Sequence, residues 1–285
     1  MKPAPFVYHR PASLPDALTL LERYGPEGRI LAGGQSLVPA LNMRLATPGA
    51  LIDINRIAGL DEIRLGTEGL VLGALARLDA VERSPLVAAH APLIAQALPH
   101  VAHLAVRTRS SVGGCVAHAD PAAELPACLV ALGGTVRALS RRGPREIAAA
   151  EFFRGVCTTA LGPDEVLTAV VVPRLAPGLR SRFDELARRH GDYALVALAA
   201  HARVVDGTLA EARLVLAGVG TTPVRAARAE AALTGRRVDA AALDAATRAL
   251  AVELDPPSDV HASAALRRHL AGVLLRRAVR GLAEA

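Results

Sequence analysis

Apolar residues along this chain recur at two spacings, and the places where the spacing changes mark its elements. Phe6-Val7-Tyr8-His9 reads as a strand. The stripe Ala17, Leu18, Leu20 and Leu21 is one face of a helix that Ser13, Pro15 and Asp16 start and Gly25 ends. Arg29-Ile30-Leu31 is a short strand, residues 37–45 form one or two helical turns broken by Pro39, and Leu51-Ile52-Asp53-Ile54 is a strand again. Residues 62–65 and 70–73 flank Gly66-Thr67-Glu68-Gly69 as a hairpin, and residues 79–100 are helical with an interruption at Pro85. Few periodic apolar positions lie in 107–121, which predicts an ordered loop there. A helix over 122–132, strands over 135–139 and 145–148 joined through Arg141-Arg142-Gly143, and a strand over 165–172 complete the first unit.

Past Pro173 the period stays at two for three segments, 182–188, 194–205 and 209–217, turned at Gly191-Asp192 and Asp206-Gly207. Helical spacing then returns over 223–233, 239–250 and 263–282. Three strands followed by three helices is an α+β pattern, so the chain reads as two units joined near Pro173 with no internal repeat.

With 285 residues, 52% of them hydrophobic and 21% charged, the chain can bury a substantial core. No apolar run approaches the roughly twenty residues of a membrane span, and Met1-Lys2-Pro3-Ala4-Pro5 lacks the apolar core of a signal peptide. A cytoplasmic address is the expectation. Cys115, Cys128 and Cys157 form no C-x-x-C pair and no zinc or iron–sulfur spacing, which suits reduced thiols. Lys2 is the only lysine; the net charge of +6 comes from scattered arginines without interleaved aromatics, a pattern that speaks against nucleic-acid binding.

Glycine carries the candidate chemistry. Ala32-Gly33-Gly34-Gln35-Ser36 and Ser111-Val112-Gly113-Gly114-Cys115 can each bring backbone N–H groups close to an anion with no side chain in the way. A diphosphate needs such a surface. A Walker loop is absent, and the nearest approach to a Rossmann fingerprint, Gly218-Val219-Gly220-Thr221-Thr222-Pro223, has Pro223 in place of the third glycine. Thr222 as N-cap with Pro223 at the first helical position explains that turn structurally. His118, Asp120 and Glu124 lack a helical ligand pair for metal, Asp120-Pro121 reads better as the start of the next helix, and Gly33-Gly34-Gln35-Ser36-Leu37 is not a nucleophile elbow. Cys128 lies on an apolar helix face, Phe152-Phe153 is an apolar anchor for the core or a subunit contact, and Tyr193 suits either a sheet edge or an aromatic ligand.

In order along the chain stand Ala32-Gly33-Gly34-Gln35-Ser36-Leu37, Leu51-Ile52-Asp53-Ile54-Asn55, Arg107-Thr108-Arg109-Ser110-Ser111-Val112-Gly113-Gly114, His118-Ala119-Asp120-Pro121 with Glu124-Leu125-Pro126, and Arg188-Arg189-His190-Gly191-Asp192-Tyr193-Ala194. In these motifs the chain resembles the FAD-binding medium subunit of molybdenum hydroxylases, the carbon monoxide dehydrogenase and xanthine dehydrogenase family. The resemblance covers nearly the whole length. It implies a two-part FAD-binding domain of the PCMH type over 1–175, with subdomains 1–56 and 57–175, then a C-terminal α+β domain over 176–285 with a three-stranded antiparallel sheet and a helical bundle.

What the resemblance implies about the site is carried by position. Ala32, Gly33, Gly34, Gln35, Ser36 and Leu37 on one side, and Ser111, Val112, Gly113, Gly114 and Cys115 on the other, would face the FAD diphosphate through N–H groups and the Ser36 and Ser111 hydroxyls. Glu124 falls near the ribose, Leu167 near the adenine and Tyr193 beside the flavin ring, with Asp192 and Arg188 holding that segment. Cys115 departs from the Asp, Asn or Ser common there, which leaves its backbone amide. The implied role is electron transfer from an iron–sulfur subunit with [2Fe-2S] clusters, alongside a molybdenum-cofactor subunit, to an external acceptor, in a hetero-oligomer. No metal site is expected on this chain. A self-contained flavin oxidase of the same fold and a flavin-free scaffold are the competing readings.

Overall fold

The computed structural model describes residues 1–284. Its first layer is a three-stranded parallel sheet of β1 (Val7–His9), β2 (Gly28–Leu31) and β3 (Ala50–Asp53), in the order β1-β3-β2. All four residues of β3 are buried, as its central place requires. Helix α1 (Leu14–Tyr24) joins β1 to β2, capped by the Ser13 hydroxyl accepting from the Asp16 N–H at 3.3 Å and ended at Gly25. Helix α2 (Leu37–Asn42) follows the first glycine turn; Ala17, Leu18 and Leu21 of α1 pack with Ile52 and Ile54 into a small core.

A five-stranded antiparallel sheet is built from β4 (Ile63–Leu65), β5 (Leu70–Gly73), β6 (Thr135–Ser140), β7 (Gly143–Ala148) and β10 (Val166–Val172), ordered β4-β5-β10-β6-β7. Between β5 and β6 lie helices α3 (Leu78–Glu82), α4 (Pro85–His90), α5 (Pro92–Ala97), α6 (Leu104–Arg107), α7 (Val112–His118) and α8 (Glu124–Leu132). The single interrupted helix expected over 79–100 is thus three short ones. Pro92 ends α4 as Pro85 ended α3, because a proline disfavours the helical region for the residue before it, and Ala91 sits at φ −142°, ψ 56°. After β7, α9 (Ala149–Phe152) leads into the β8 (Phe153–Gly155) and β9 (Thr158–Thr159) pair. Phe152 and Phe153 stack edge to face within the main core, so they are core anchors of this chain.

The loop expected over 107–121 is corrected by α6 and α7: the second glycine pair lies in the first turn of a helix. Ser111 is its N-cap, accepting from the Gly114 N–H at 3.2 Å, and Ala119 ends it in the left-handed region. Tertiary packing selects that helix against low local propensity. A Cβ on Gly113 would lie 2.8 Å from Ala74 Cα, so only glycine lets the helix seat on the end of β5.

The last sheet comprises β11 (Leu179–Leu186), β12 (Val196–Val205) and β13 (Thr208–Ala217), antiparallel, with the two-residue β14 (Val224–Arg225) and β15 (Arg236–Arg237) both paired to β13. Helices α10 (Ala227–Leu233), α11 (Ala240–Glu253) and α12 (Ala264–Glu284) cover one face. Both faces are buried: Ala197, Ala199, Val215 and Ala217 belong to the core shared with α8, while Val196, Leu198, Leu214 and Leu216 belong to the core under α10–α12. Thr222-Pro223 does not open a helix. It precedes β14, and α10 begins only after Ala226. Among the described residues no helix is long and apolar enough to cross a membrane, and no group of His, Cys, Asp and Glu could hold a metal ion.

Candidate functional site

The two glycine segments meet. Strand β2 ends against β3, where the Ile54 N–H donates to the Leu31 carbonyl, and the chain then turns through Ala32-Gly33-Gly34 into α2. Gly34 takes φ +73°, and a Cβ on Gly33 would lie 2.9 Å from Ser110 Cα and overlap the Arg109 carbonyl oxygen. On the facing side, a Cβ on Gly114 would be 3.9 Å from Ala32 Cβ. The space they border continues as one cleft of about 930 Å³. Its wall includes Ala32, Gly33, Gly34, Gln35, Ser36, Leu37, Ser111, Gly113, Gly114, Cys115, Glu124, Leu167, Asp192 and Tyr193.

The two segments offer unequal donors. Among the described residues nothing accepts from the N–H groups of Gly33, Gly34, Gln35 or Ser36, since the first α2 bond runs from Val38 to the Gly34 carbonyl. In the second segment four of the five N–H groups are already taken within the protein: Val112 by Ala76 O at 3.0 Å, Gly113 by Ala74 O at 2.8 Å, Cys115 by Ser111 O at 2.9 Å and Gly114 by the Ser111 hydroxyl at 3.2 Å. For Val112, Gly113, Gly114 and Cys115 the expectation of a cleft-facing N–H group is therefore corrected. Val112 is fully buried in the core and does not reach the cleft wall. Its segment contributes the Ser111 hydroxyl, the shape left by Gly114 and the end of α7.

Farther along the wall, Glu124 opens α8 and is only 5% exposed. Burial, with Asp120 adding to it, raises its carboxyl to about 7, so near neutrality it can donate as well as accept a hydrogen bond. The Cys115 thiol is pushed far up by burial and then by Glu124 and Asp120, which leaves it an un-ionised, poorly nucleophilic group. Leu167 lies on β10, 5% exposed. Tyr193 leaves 62% of its surface exposed, yet its hydroxyl is raised to about 12 by burial, then Asp120, Cys115 and Glu124, with a hydrogen bond from Ser36 opposing the rise.

The Tyr193 segment is not held as expected. The side chains of Arg188 and Asp192 make no hydrogen bond or ion pair among the described residues. Backbone contacts hold it instead: Asp192 N–H to Arg189 O at 3.1 Å and Leu195 N–H to Leu186 O at 2.8 Å. Gly191, at φ +86°, packs on His103, whose ring stacks with His190 at 6.3 Å between centroids.

Sequence reading missed the residues behind the cleft. Asn55 donates its amide N–H to the Ala32 carbonyl at 2.9 Å, and Arg77 donates to both Asn55 Oδ1 and the Arg109 carbonyl at 2.5 Å. Asn55 ends the Leu51-Ile52-Asp53-Ile54-Asn55 motif, but nothing local marks Arg77.

A cleft walled by uncommitted N–H groups, a hydroxyl and a near-neutral carboxyl, and lined elsewhere by apolar side chains, can hold a dinucleotide through its diphosphate and sugars. Known proteins agree with that chemistry. The model of the FAD binding domain in molybdopterin dehydrogenase matches residues 4–175, and that of the CO dehydrogenase flavoprotein C-terminal domain matches residues 181–282. The 6-hydroxypseudooxynicotine dehydrogenase complex subunit alpha of Paenarthrobacter nicotinovorans is 38% identical over 278 residues, 97% of this chain and 94% of its own length. The carbon monoxide dehydrogenase medium chain of Afipia carboxidovorans is 37% identical over 279 residues, 98% of this chain and 97% of its own. Among solved structures, the cyanide-inactivated Cu,Mo-CO dehydrogenase superposes with a TM-score of 0.96 at 36% identity, and quinoline 2-oxidoreductase from Pseudomonas putida 86 with 0.95 at 38%; each match covers 100% of this chain and 99% of the other.

Proposed function

The chain belongs to the FAD-binding medium subunits of molybdenum hydroxylases, and from that premise we propose that it carries noncovalent FAD in the cleft between its glycine segments, passing electrons from an iron–sulfur subunit to an external acceptor. One observation carries the reading. Four consecutive N–H groups, Gly33 to Ser36, have no acceptor among the described residues and border the same cleft as Ser111 and Glu124. That donor set fits a diphosphate with an adjoining ribose and uses dipoles where lysines are lacking.

In this reading Gly33, Gly34, Gln35 and Ser36 bind the diphosphate, with Ala32 and Leu37 closing the turn. The Ser111 hydroxyl and the surface at Gly113, Gly114 and Cys115 form the facing wall. Glu124 exchanges hydrogen bonds with sugar hydroxyls, and Leu167 gives the adenine an apolar contact. Tyr193, with Asp192 beside it, covers the ring system and limits access of water and oxygen. When bound, FAD supplies acceptance of single electrons from a metal centre and their delivery as a pair. Hydroxylation of the substrate belongs to a molybdenum-cofactor subunit of the hetero-oligomer.

Correspondence over 94% and 97% of the length of relatives named as a complex subunit and a medium chain supports a subunit over a self-contained oxidase. An un-ionised Cys115 thiol disfavours a cysteine tether. The matched segments 4–175 and 181–282 support a division into 1–175 and 176–285, and the separate sheets of β1–β3 and β4–β7 with β10 support the parts 1–56 and 57–175. Three free cysteines support a cytoplasmic address.

Denaturing the purified chain and recording the released chromophore tests the reading. Free FAD in one-to-one ratio is expected. Flavin retained on the denatured chain would indicate a tethered oxidase, and no flavin a scaffold.

A further inference from the structure

The N–H groups that would meet the diphosphate belong to peptide units whose carbonyls must point away from the cleft, and those carbonyls need partners. The Ala32 carbonyl shares its peptide plane with the Gly33 N–H. It accepts from Asn55 Nδ2 at 2.9 Å, so the grip on the oxygen fixes where that N–H points. The Arg109 carbonyl, against which Gly33 packs, accepts from Arg77 Nη1 at 2.5 Å. Arg77 Nη2 in turn donates to Asn55 Oδ1 at 2.5 Å. We propose that Asn55 and Arg77 are positioning residues for the cofactor: an unbroken link from the Ala32 carbonyl through the Asn55 amide and the Arg77 guanidinium to the Arg109 carbonyl sets the separation of the two glycine segments before any ligand enters.

Each group is suited to its place. The Asn55 amide must donate to one carbonyl and accept from a cation, so its orientation is determined by its neighbours. Its Nδ2 and its own N–H also reach Asp53 Oδ1, at 2.6 and 2.9 Å, and the other oxygen of Asp53 takes the Tyr8 hydroxyl and faces Arg10 at 3.6 Å. That anchors the amide to the end of β3. Arg77 presents a planar fork that serves two acceptors at once, which a lysine cannot do in the same geometry. Its backbone does the same for the other segment: Arg77 bridges Ser111, Leu78 N–H donates to Ser110 O at 3.1 Å and Val112 N–H to Ala76 O at 3.0 Å. The main chain flanking Arg77 therefore holds the second segment, through the Ala76 carbonyl and the Leu78 N–H, while its side chain reaches the first segment through Asn55. Neither side chain lies on the cleft wall, so neither touches the cofactor.

The inference rests on the FAD reading above and is tested so that the two can fail separately. FAD is added to the deflavinated full chain, wild type and the variants Asn55→Asp, Arg77→Lys and Asn55→Asp/Arg77→Lys, and binding is followed by flavin fluorescence. Thermal midpoints of the deflavinated chains and hydrogen exchange at residues 32–36 are measured alongside. Each single variant should weaken FAD about ten- to a hundredfold, by removing a charge-assisted or buried hydrogen bond and with it the preorganisation of the turn. The double variant should lose little beyond the worse single one, because both interrupt one link. Exchange at 32–36 should rise by more than the accompanying fall in thermal midpoint accounts for, since the lost hydrogen bonds also belong to the deflavinated fold.

Variants that bind FAD within twofold of wild type overturn the brace. So do losses that multiply in the double variant, or losses that track a fall in thermal midpoint with exchange at 32–36 unchanged. A wild-type chain that binds no FAD overturns the cofactor reading and the brace with it.

Discussion

Gly33 and Arg109 touch through their backbones: a Cβ at Gly33 would overlap the Arg109 carbonyl oxygen and lie 3.1 Å from its carbon. The backbone of Gly33 is not left-handed, so the requirement for glycine here is one of space. Its neighbour Gly34 is the reverse case, at φ +73° with Val38 Cγ2 at a tolerable 3.2 Å from a Cβ. Gly33→Ala should therefore push the two segments apart, costing about 1–3 kcal/mol of stability as an overpacked contact. FAD retention should fall with it. Gly34→Ala should cost about 1 kcal/mol through backbone strain and leave the segments in contact. Urea unfolding of both variants, with flavin content as purified, separates the two effects.

Gly114 has room that Gly113 lacks. A Cβ there meets only Ser111 Oγ at 3.0 Å and Ala32 Cβ at 3.9 Å, both on the cleft side. Asp is also favourable in the first turn of a helix. Gly114→Asp is thus expected to fold with a thermal midpoint close to wild type and to lose FAD, because its carboxylate faces the diphosphate. Stoichiometric FAD in that variant would show that the second segment does not face the anion.

Much of this was legible along the chain, and the exceptions share a cause. The hairpin at Gly66-Thr67-Glu68-Gly69, the capped helix after Ser13 and the alternating strands before and after Asp206-Gly207 follow from local chemistry alone. Helix α7 does not, since Val112 and Val116 are its only large apolar core residues and two glycines open it; the seat on Ala74 decides it. Pro92 breaks 79–100 a second time, and Thr222-Pro223 has the local form of a helix start where pairing with β13 prevails. At the site, the glycine pairs were visible. Which of their N–H groups remain uncommitted depends on the Ala74 and Ala76 carbonyls, and the link through Arg77 on contacts distant in sequence.

Ser111 serves both the helix and the cleft. Its buried hydroxyl accepts from the Gly114 N–H at 3.2 Å and borders the space where the diphosphate would lie. Ser111→Ala should cost about 0.5–2 kcal/mol as a lost N-cap. It should also weaken FAD, whereas Ser111→Thr, which keeps the oxygen, should recover most of the stability. Chemical denaturation of the flavin-free chains gives the first number, and FAD titration the second.

Glu185 is the carboxyl whose removal should stabilise the chain. It sits on β11 with Oε2 buried and without a hydrogen-bond partner among the described residues, and burial, then Glu124 and Asp184, raise it to about 8; Glu124 itself is raised to about 7. Both lie above their ordinary value of 4.5, so the folded state holds protons that the unfolded state releases. Their contribution is intact below pH 4.5 and is lost as the pH climbs through 7 and 8. Asp53 behaves oppositely. Burial works to raise it, but the Tyr8 and Asn55 donors and Arg10 outweigh that and hold it low, so its contribution disappears only in acid. His100 and His201, depressed chiefly by burial, also favour higher pH around 6.5. The raw profile therefore mixes signs, and the informative quantity is the difference between wild type and Glu185→Gln. That difference should be small at pH 5 and should favour the variant by about 1–2 kcal/mol at pH 8.5, allowing for partial solvent screening of the carboxyl. Urea midpoints of the flavin-free chain at the two pH values measure it. A variant equally destabilised at both would mean that Glu185 is ionised and partnered in the folded chain.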